Sequence, residues 1–248
     1  MIWRPANPGV NRRQRRTISA LIACAGGFIV PAEACHAQIA AGVTFYTNET
    51  FRGETVSDDA PSVSAQVSLD AGGFFAGASA SVTSGRGEAR LASATQYVGY
   101  AHRMDRTSLE FGVIHRDYGR IVDDEYRKDF FEGYVGISHR TVKARFYVSP
   151  DYREGNRASY YAEIDATLVR AGKWSLDAHG GLSLIPKPGA LRGGGCCRYT
   201  IHRFQDWRVQ VSTPVASFFI SAGVTGTNYP VYSANGRTRV FASFNTSF

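Results

Sequence analysis

Connections of alternating length constrain this chain more than any other feature. Twelve segments of about ten residues alternate apolar and polar side chains, which is the pattern of a β-strand with two unlike faces. Every second connection between them is a turn of two to four residues, and the others are longer loops. The segments are approximately 41–51, 61–70, 73–82, 93–103, 106–116, 130–140, 142–150, 158–170, 173–184, 200–212, 217–227 and 237–248.

This arrangement favours a closed barrel in a membrane. In a series of antiparallel hairpins, alternating connections lie at opposite ends, so all the long loops share one end. Outer-membrane barrels have this form, with short periplasmic turns, longer external loops and an even number of strands. We therefore predict an all-β fold, a closed antiparallel up-and-down transmembrane β-barrel of about 12 strands over residues 38–248, with both termini in the periplasm.

The first 37 residues have a different composition. Arg12, Arg13, Arg15 and Arg16 precede an apolar run over 18–30, and small residues follow up to Ala37. A basic, an apolar and a small-residue region in this order are typical of a secretory signal. The sequence thus predicts a signal peptide at 1–37 and export to the cell outer membrane, with cleavage after Ala34 as the competing site.

The charge balance excludes one class of partner. Five of the 28 Lys and Arg residues and one of the 21 Asp and Glu residues lie within 1–37, so the remainder carries 23 against 20, a net charge of +3. No basic stripe remains that would bind nucleic acid. Cys196 and Cys197 are adjacent in a Gly-rich loop, and we expect either a vicinal bridge or free thiols with no catalytic role.

The last strand ends on an apolar alternation. Val240, Ala242, Phe244, Thr246 and Phe248 share one face, and the strand would close the sheet against the first one. Phe244 and Phe248 resemble the signal by which bacterial barrels are handed to their insertion machinery. Replacing Phe248 with a polar residue is therefore expected to reduce the amount of folded barrel in the membrane fraction, and unchanged folded levels would contradict this role.

Charged side chains are predicted on the inner face of the barrel. Mixed charges in a narrow lumen either pair with one another as a structural filling or line a path that selects small solutes. A barrel of about eight strands is filled by its own side chains, and one of 16–18 strands leaves a channel. A count of twelve strands therefore does not distinguish a filled interior from an open one. The candidates that strand parity places inside are Glu132, Lys143, Arg145, Glu163, Asp165, Asp177, His179 and Arg208.

Catalysis has little support in the residues. A hydrolase would need Ser, His and a carboxylate together, and Asp177, His179 and Ser183 share one strand face. No GxSxG or HExxH motif accompanies any histidine. We expect no enzyme activity, no cofactor and no metal, and the acidic residues Asp123, Asp124 and Glu125 are predicted to form a solvated loop tip.

The stretch 45–81 resembles the opening of the proteobacterial Gcw_chp family of exported proteins. Phe51, Arg52, Gly53, Ser57, Asp58 and Pro61 match one run of that family, and Gly73, Phe74, Phe75 and Gly77 match a second. Later segments such as QDWRVQVS (205–212) also look similar, whereas Thr55 and the insert at 193–197 depart from the pattern. The resemblance implies an outer-membrane setting and lends no activity.

The loop that carries this run is a second candidate site. Arg52, Gly53, Asp58 and Asp59 are predicted in an external loop whose arginine turns inward to pair with carboxylates or contacts a ligand, and Gly53 would supply a positive φ.

Our preferred function is a small-solute pore or uptake channel. The alternatives are a structural or surface-interaction barrel without conductance and, less favoured, an outer-membrane hydrolase. The expected partners are outer-membrane lipid, lipopolysaccharide, the barrel insertion machinery and a small solute.

Overall fold

The computed structural model describes residues 37–84, 88–118, 129–152, 158–189, 198–229 and 238–248, without the side chains of 187–189 and 198–199. Within these ranges, every regular element is a β-strand. No described helix has the length and apolar character needed to cross a membrane. The predicted signal at 1–37 lies outside the described residues except for Ala37, as do Cys196, Cys197 and the acidic residues 123–125.

In the described part of the chain, twelve strands close into one antiparallel barrel, as predicted. Each strand pairs with its sequence neighbours, and two short strands, β2 and β3, form a separate pair inside the first long connection. The strands are β1 (Gln38–Tyr46), β2 (Thr50–Phe51), β3 (Glu54–Thr55), β4 (Ser62–Ala71), β5 (Phe74–Thr83), β6 (Arg90–Met104), β7 (Thr107–Tyr118), β8 (Asp129–His139), β9 (Val142–Ser149), β10 (Ser159–Ala171), β11 (Trp174–Gly189), β12 (Arg198–Val215), β13 (Phe218–Thr227) and β14 (Thr238–Ser247).

The first and last strands close the sheet. β1 pairs with β14 from Gly42 opposite Ser247 to Tyr46 opposite Ser243. The Phe248 amide also donates a hydrogen bond of 2.9 Å to the Ala41 carbonyl. Closure matters because an open edge in lipid would leave backbone donors and acceptors unpaired, at a cost of several kcal/mol each.

All five short connections are two-residue turns, and they define the short-turn end of the barrel. Each has a positive φ at its first residue, as expected for tight hairpins whose turn matches the right-handed twist of the strands. The first residues are Gly72, Asp105, Arg140, Gly172 and Ala216, with φ between 50° and 61°. The opposite end, which carries the longer connections, is the long-loop end.

Several predicted strand boundaries were wrong, most clearly at three connections. β1 ends at Tyr46 instead of residue 51 because the chain there leaves the wall, as described below. In the predicted loop 185–199, residues 185–189 and 198–199 are strand, since β11 continues to Gly189 and β12 begins at Arg198. The turn predicted at 213–216 lies at 216–217 instead, because β12 continues to Val215.

Prolines lie in two of these strand extensions. β11 extends beyond its last pair with β10, which joins Leu184 to Tyr160, while its pairing with β12 continues to Gly189. Pro186 and Pro188 therefore lie where one edge of the strand has no neighbour, and a missing amide proton is tolerated there. Pro214 similarly lies beyond the last pair of β12 with β11.

The outer surface is an apolar belt. On each barrel strand, large apolar side chains point outward at alternate positions, and the intervening polar side chains point inward. Such a surface would be exceptional on a soluble protein and is that of a barrel immersed in lipid. Exposed members include Val67, Phe74, Val98, Phe111, Val113, Val135, Phe146, Ile164, Leu182, Val209 and Phe244, together with Trp174 and Trp207.

Candidate functional site

The first long connection folds into the barrel. Residues 47–61, called here the inner loop, leave β1 at the long-loop end and contact inward side chains of β6, β8, β10, β12, β13 and β14. Val56 and Ser57 of this loop are almost completely buried. The lumen at the long-loop end is therefore filled by the protein itself.

Arg52 is the innermost anchor of the inner loop. Its Nη2 donates a hydrogen bond of 2.6 Å to Oε1 of Glu132 on β8, and the two side chains are only 6% and 1% exposed. Burial lowers the pKa of Arg52, but the Glu132 carboxylate, Tyr152 and Tyr161 together raise it by more, so the net pKa is above the ordinary arginine value. The two side chains form a buried ion pair.

Aromatic rings surround this guanidinium. The Cζ atom of Arg52 lies 3.8 Å from the ring centroid of Tyr161, 5.4 Å from that of Tyr152 and 5.5 Å from that of Tyr147. These distances are within the range of cation–π attraction, which is strongest for buried cations. Three tyrosines, a carboxylate and a guanidinium thus form one buried unit, which we call the arginine cage.

A second anchor lies across the lumen. Arg239 of β14 donates to Oδ1 of Asp59 at 2.6 Å and to the Gly53 carbonyl at 3.1 Å. Arg90 of β6 pairs with Asp58. The inner loop is consequently fixed to opposite sides of the barrel by separate ion pairs.

The backbone of the inner loop requires unusual conformations. Arg52, Gly53, Asp58 and Asp59 all have positive φ, with Gly53 at +75°. A Cβ on Gly53 would lie 2.6 Å from Cβ of Thr227 and 2.8 Å from the Gly226 carbonyl oxygen, so only glycine fits between the loop and β13. All four candidate residues of this loop therefore take part in its inward fold.

A charged wall lines the lumen on β7 to β12. Glu110 contacts Arg145 and Lys143, and Arg145 also lies 3.6 Å from Glu163. The opposite wall presents small uncharged groups. The charged wall consists of Glu110, Lys143, Arg145, Glu163, Asp165, Asp177, His179, Asp206 and Arg208, and the opposite wall includes Thr44, Gln66, Ser81, Ser221 and Asn245.

His179 lies at the centre of the charged wall. Its Nδ1 is 2.8 Å from Asp165 and its Nε2 is 3.0 Å from Asp206. Both ring nitrogens are therefore engaged by carboxylates. Asp177 instead accepts hydrogen bonds from Thr167, Ser175 and Ser212, so the considered grouping of Asp177, His179 and Ser183 is not assembled as a hydrolytic triad.

The same region brings potential metal ligands together. Ligand atoms of Glu163, Asp165 and His179 lie within 4.8 Å of one another. Arg145 and Arg208 lie beside the two carboxylates, at 3.6 and 3.7 Å, and they already supply positive charge there. This arrangement favours a network of ion pairs over a bound cation.

Water exposure changes along the lumen. The exposed side-chain fraction is 1% for Glu132 and 5% for Asp206, 14% for Glu163 and 28% for Arg145, and 37% for Asp165 and 41% for Arg208. The increase runs from the inner loop towards the short-turn end. A cavity of about 390 Å³ at that end is lined by Lys143, Asp165, Asp177, Arg208 and Gln210, among others.

The structure places all eight predicted lumen residues inside the barrel but divides them between two sites. Glu132 belongs to the arginine cage, and the other seven belong to the charged wall. Sequence reasoning missed Glu110, Asp206 and Arg239. Strand parity would have found them, because each is flanked by an outward apolar residue, as Glu110 is by Leu109 and Phe111.

Several solved barrel structures are similar to the chain at low sequence identity. A structure named KdgM porin matches with 11% identity and a TM-score of 0.49 over 84% of this chain and 99% of that one. A structure named NanC porin matches with 8% identity and a TM-score of 0.46 over 85% and 98%. Outer membrane phospholipase A from Escherichia coli matches with 12% identity and a TM-score of 0.41 over 86% and 97%.

No curated protein sequence matches the chain significantly. A family model does: residues 32–247 match Gcw_chp, described as a bacterial protein of unknown function. This range includes the whole barrel, with both candidate sites. The chain therefore belongs to the Gcw_chp family.

Proposed function

We propose that this protein is an outer-membrane channel for small polar solutes, and that the inner loop closes its lumen in the conformation described here. The observation that carries the proposal is the increase in water exposure along the lumen, from 1% at Glu132 in the arginine cage to 41% at Arg208 in the charged wall. A purely structural filling would have no reason to leave ion-pairing side chains such as Asp165 and Arg208 more than a third exposed to water.

The two walls supply the chemistry of a solute path. Both signs of charge line one side, and hydroxyl and amide groups line the other. Side chains of this kind replace part of the hydration shell of a polar solute and thereby select it. Because acidic and basic side chains are interspersed along the charged wall, the path suits polar solutes in general more than ions of one sign.

The segment that closes the lumen, the inner loop, is separate from the barrel wall. The inner loop contributes no strand to the barrel, and it is held in the lumen by side chains of Arg52, Asp58, Asp59 and by the fit of Gly53. It can thus leave the lumen without breaking any pairing of the twelve described barrel strands. The apolar belt, lipid and lipopolysaccharide would meanwhile hold the wall in place, after assembly by the insertion machinery.

Planar-bilayer recording tests the proposal. Wild-type barrel is expected to show rare openings, and a variant in which residues 51–60 are replaced by a Gly/Ser linker of equal length is expected to conduct severalfold more on average. Slower gel migration after boiling than before it would establish that both proteins are folded. If the folded variant is as silent as the wild type, the channel is refuted.

The competing function is a structural barrel without conductance. The packing of the inner loop favours it, since Arg52, Glu132, Val56 and Ser57 are almost completely buried among the described residues at the long-loop end. Silent bilayers for both proteins would support it.

A further inference from the structure

The carboxylate and three of the rings around Arg52 belong to residues outside the inner loop. Glu132 comes from β8, Tyr147 from β9 and Tyr161 from β10, and Tyr152 lies three residues after the end of β9. The inner loop supplies the cation, Arg52, and one further ring, that of Phe51, whose centroid lies 4.7 Å from the Arg52 Cζ atom. A carboxylate beside several tyrosine faces is a general recognition site for organic cations, and a guanidinium suits it because it is planar and stacks on rings.

Arg52 occupies this site imperfectly. Its backbone has φ of +49°, a conformation that is strained for a residue with a side chain. Its Nε is buried and has no hydrogen-bond partner, although a buried donor without a partner is costly. A free ligand would not have to satisfy the geometry of the loop and is able to orient all its donors.

Loss of Arg52 would not leave Glu132 alone. Arg116 of β7 places its Nε 3.4 Å from Oε2 of Glu132, on the other carboxylate oxygen. The buried charge therefore keeps one partner while the site is empty. This second cation makes an exchange of occupants feasible, because the expensive state of a buried unpaired carboxylate is avoided.

We infer that the arginine cage is a binding site for small solutes that carry a guanidinium group, and that Arg52 is its internal occupant. Such a solute takes the place of the Arg52 side chain between Glu132 and the ring of Tyr161. The inner loop then loses its innermost anchor while the ion pairs of Asp58 and Asp59 remain. The inference names a solute class for the proposed channel and rests on that function for its physiological role.

Chemical complementation in detergent tests the cage without any need for conductance. Arg52→Ala empties the cage, and ethylguanidinium at millimolar concentration, far below denaturing levels, is the probe. We expect ethylguanidinium to bind Arg52→Ala at least tenfold more tightly than wild type by calorimetry and to raise its unfolding temperature. The neutral isostere N-ethylurea is expected to do neither.

Arg239→Ala is the matched control variant. It also removes a buried arginine that anchors the inner loop, but Arg239 is held by the Asp59 carboxylate and the Gly53 carbonyl instead of the tyrosines. Ethylguanidinium should therefore bind it no better than wild type. Equal binding to both variants, or no preference over N-ethylurea, would overturn the inference.

A measurement on the wild type covers the case in which Arg52→Ala does not fold. Ethylguanidinium should accelerate cleavage of the inner loop near Phe51 and Val56 by a protease that cuts at apolar residues, and N-ethylurea should not. Unchanged cleavage would count against displacement of Arg52.

The two proposals fail independently of each other. Selective binding of ethylguanidinium with silent bilayers would refute only the channel. Conductance without selective binding would refute only the cage.

Discussion

Replacing Glu132 with glutamine is expected to release the inner loop and to destabilise the barrel by about 3–5 kcal/mol. Glutamine keeps the size of the side chain but removes the negative charge that Arg52 and Arg116 share, at 2.6 and 3.4 Å. Two guanidinium groups would then remain in a buried site without a counter-ion. Urea unfolding in detergent measures the loss, and protease cleavage within 47–61 reports on the loop.

A suitable control for this variant is Asp70→Asn. Asp70 also pairs with an arginine, Arg103, but at 3.5 Å and with both side chains exposed to water, at 49% and 76%. Exposed pairs of this kind contribute about 0–1 kcal/mol, so the loop and the stability should be unaffected. Similar losses for both variants would mean that burial of the Glu132 pair is not what stabilises the closed lumen.

Replacing Gly53 with alanine is expected to expel the inner loop by steric conflict, with a stability cost of about 2–4 kcal/mol. The new methyl group would approach Thr227 to 2.6 Å and the Gly226 carbonyl to 2.8 Å, and the backbone would have to hold φ at +75°. The carbonyl belongs to the backbone of β13 and cannot move aside. The measurements are mean bilayer current, which should rise, and the urea midpoint, which should fall.

Gly133→Ala provides the same chemical change at a position with space. A Cβ at Gly133 would meet nothing within 4 Å, so we expect a change of less than about 0.5 kcal/mol and no change in current. A Gly53→Ala protein with wild-type stability and an inaccessible loop would show that the inner loop tolerates a different path. The conformation of Gly53 would then not be required for closure.

The comparison of the two glycines illustrates why part of the site is invisible in the sequence. The residues that flank Gly53 and Gly133 in the sequence show ordinary strand or turn patterns, and they do not predict what an added methyl group would contact. Gly53 is restrictive because β13, which lies more than 170 residues later in the chain, passes beside it. Local propensity contains no information about such an encounter.

The barrel itself is a local property of the sequence. Side chains of a strand alternate between two faces, so the spacing of Val63, Val67 and Leu69 was sufficient to predict which face meets lipid. The alternation of short and long connections likewise predicted that the strands close into a barrel, and the described residues form such a barrel of twelve strands. The errors arose at strand ends such as Pro186, where the absence of a neighbouring strand removes the usual penalty for proline.

The tertiary structure alone decided the state of the lumen. Parity placed Glu132 and His179 inside, but the pairing of Glu132 with Arg52, 80 residues away, depends on the path of the inner loop across the barrel. In the same way, the bonds of His179 to Asp165 and Asp206 depend on the register of three strands. The sequence determined a barrel with charges inside, whereas the distances between those charges follow from closure and loop path, which no local pattern specifies.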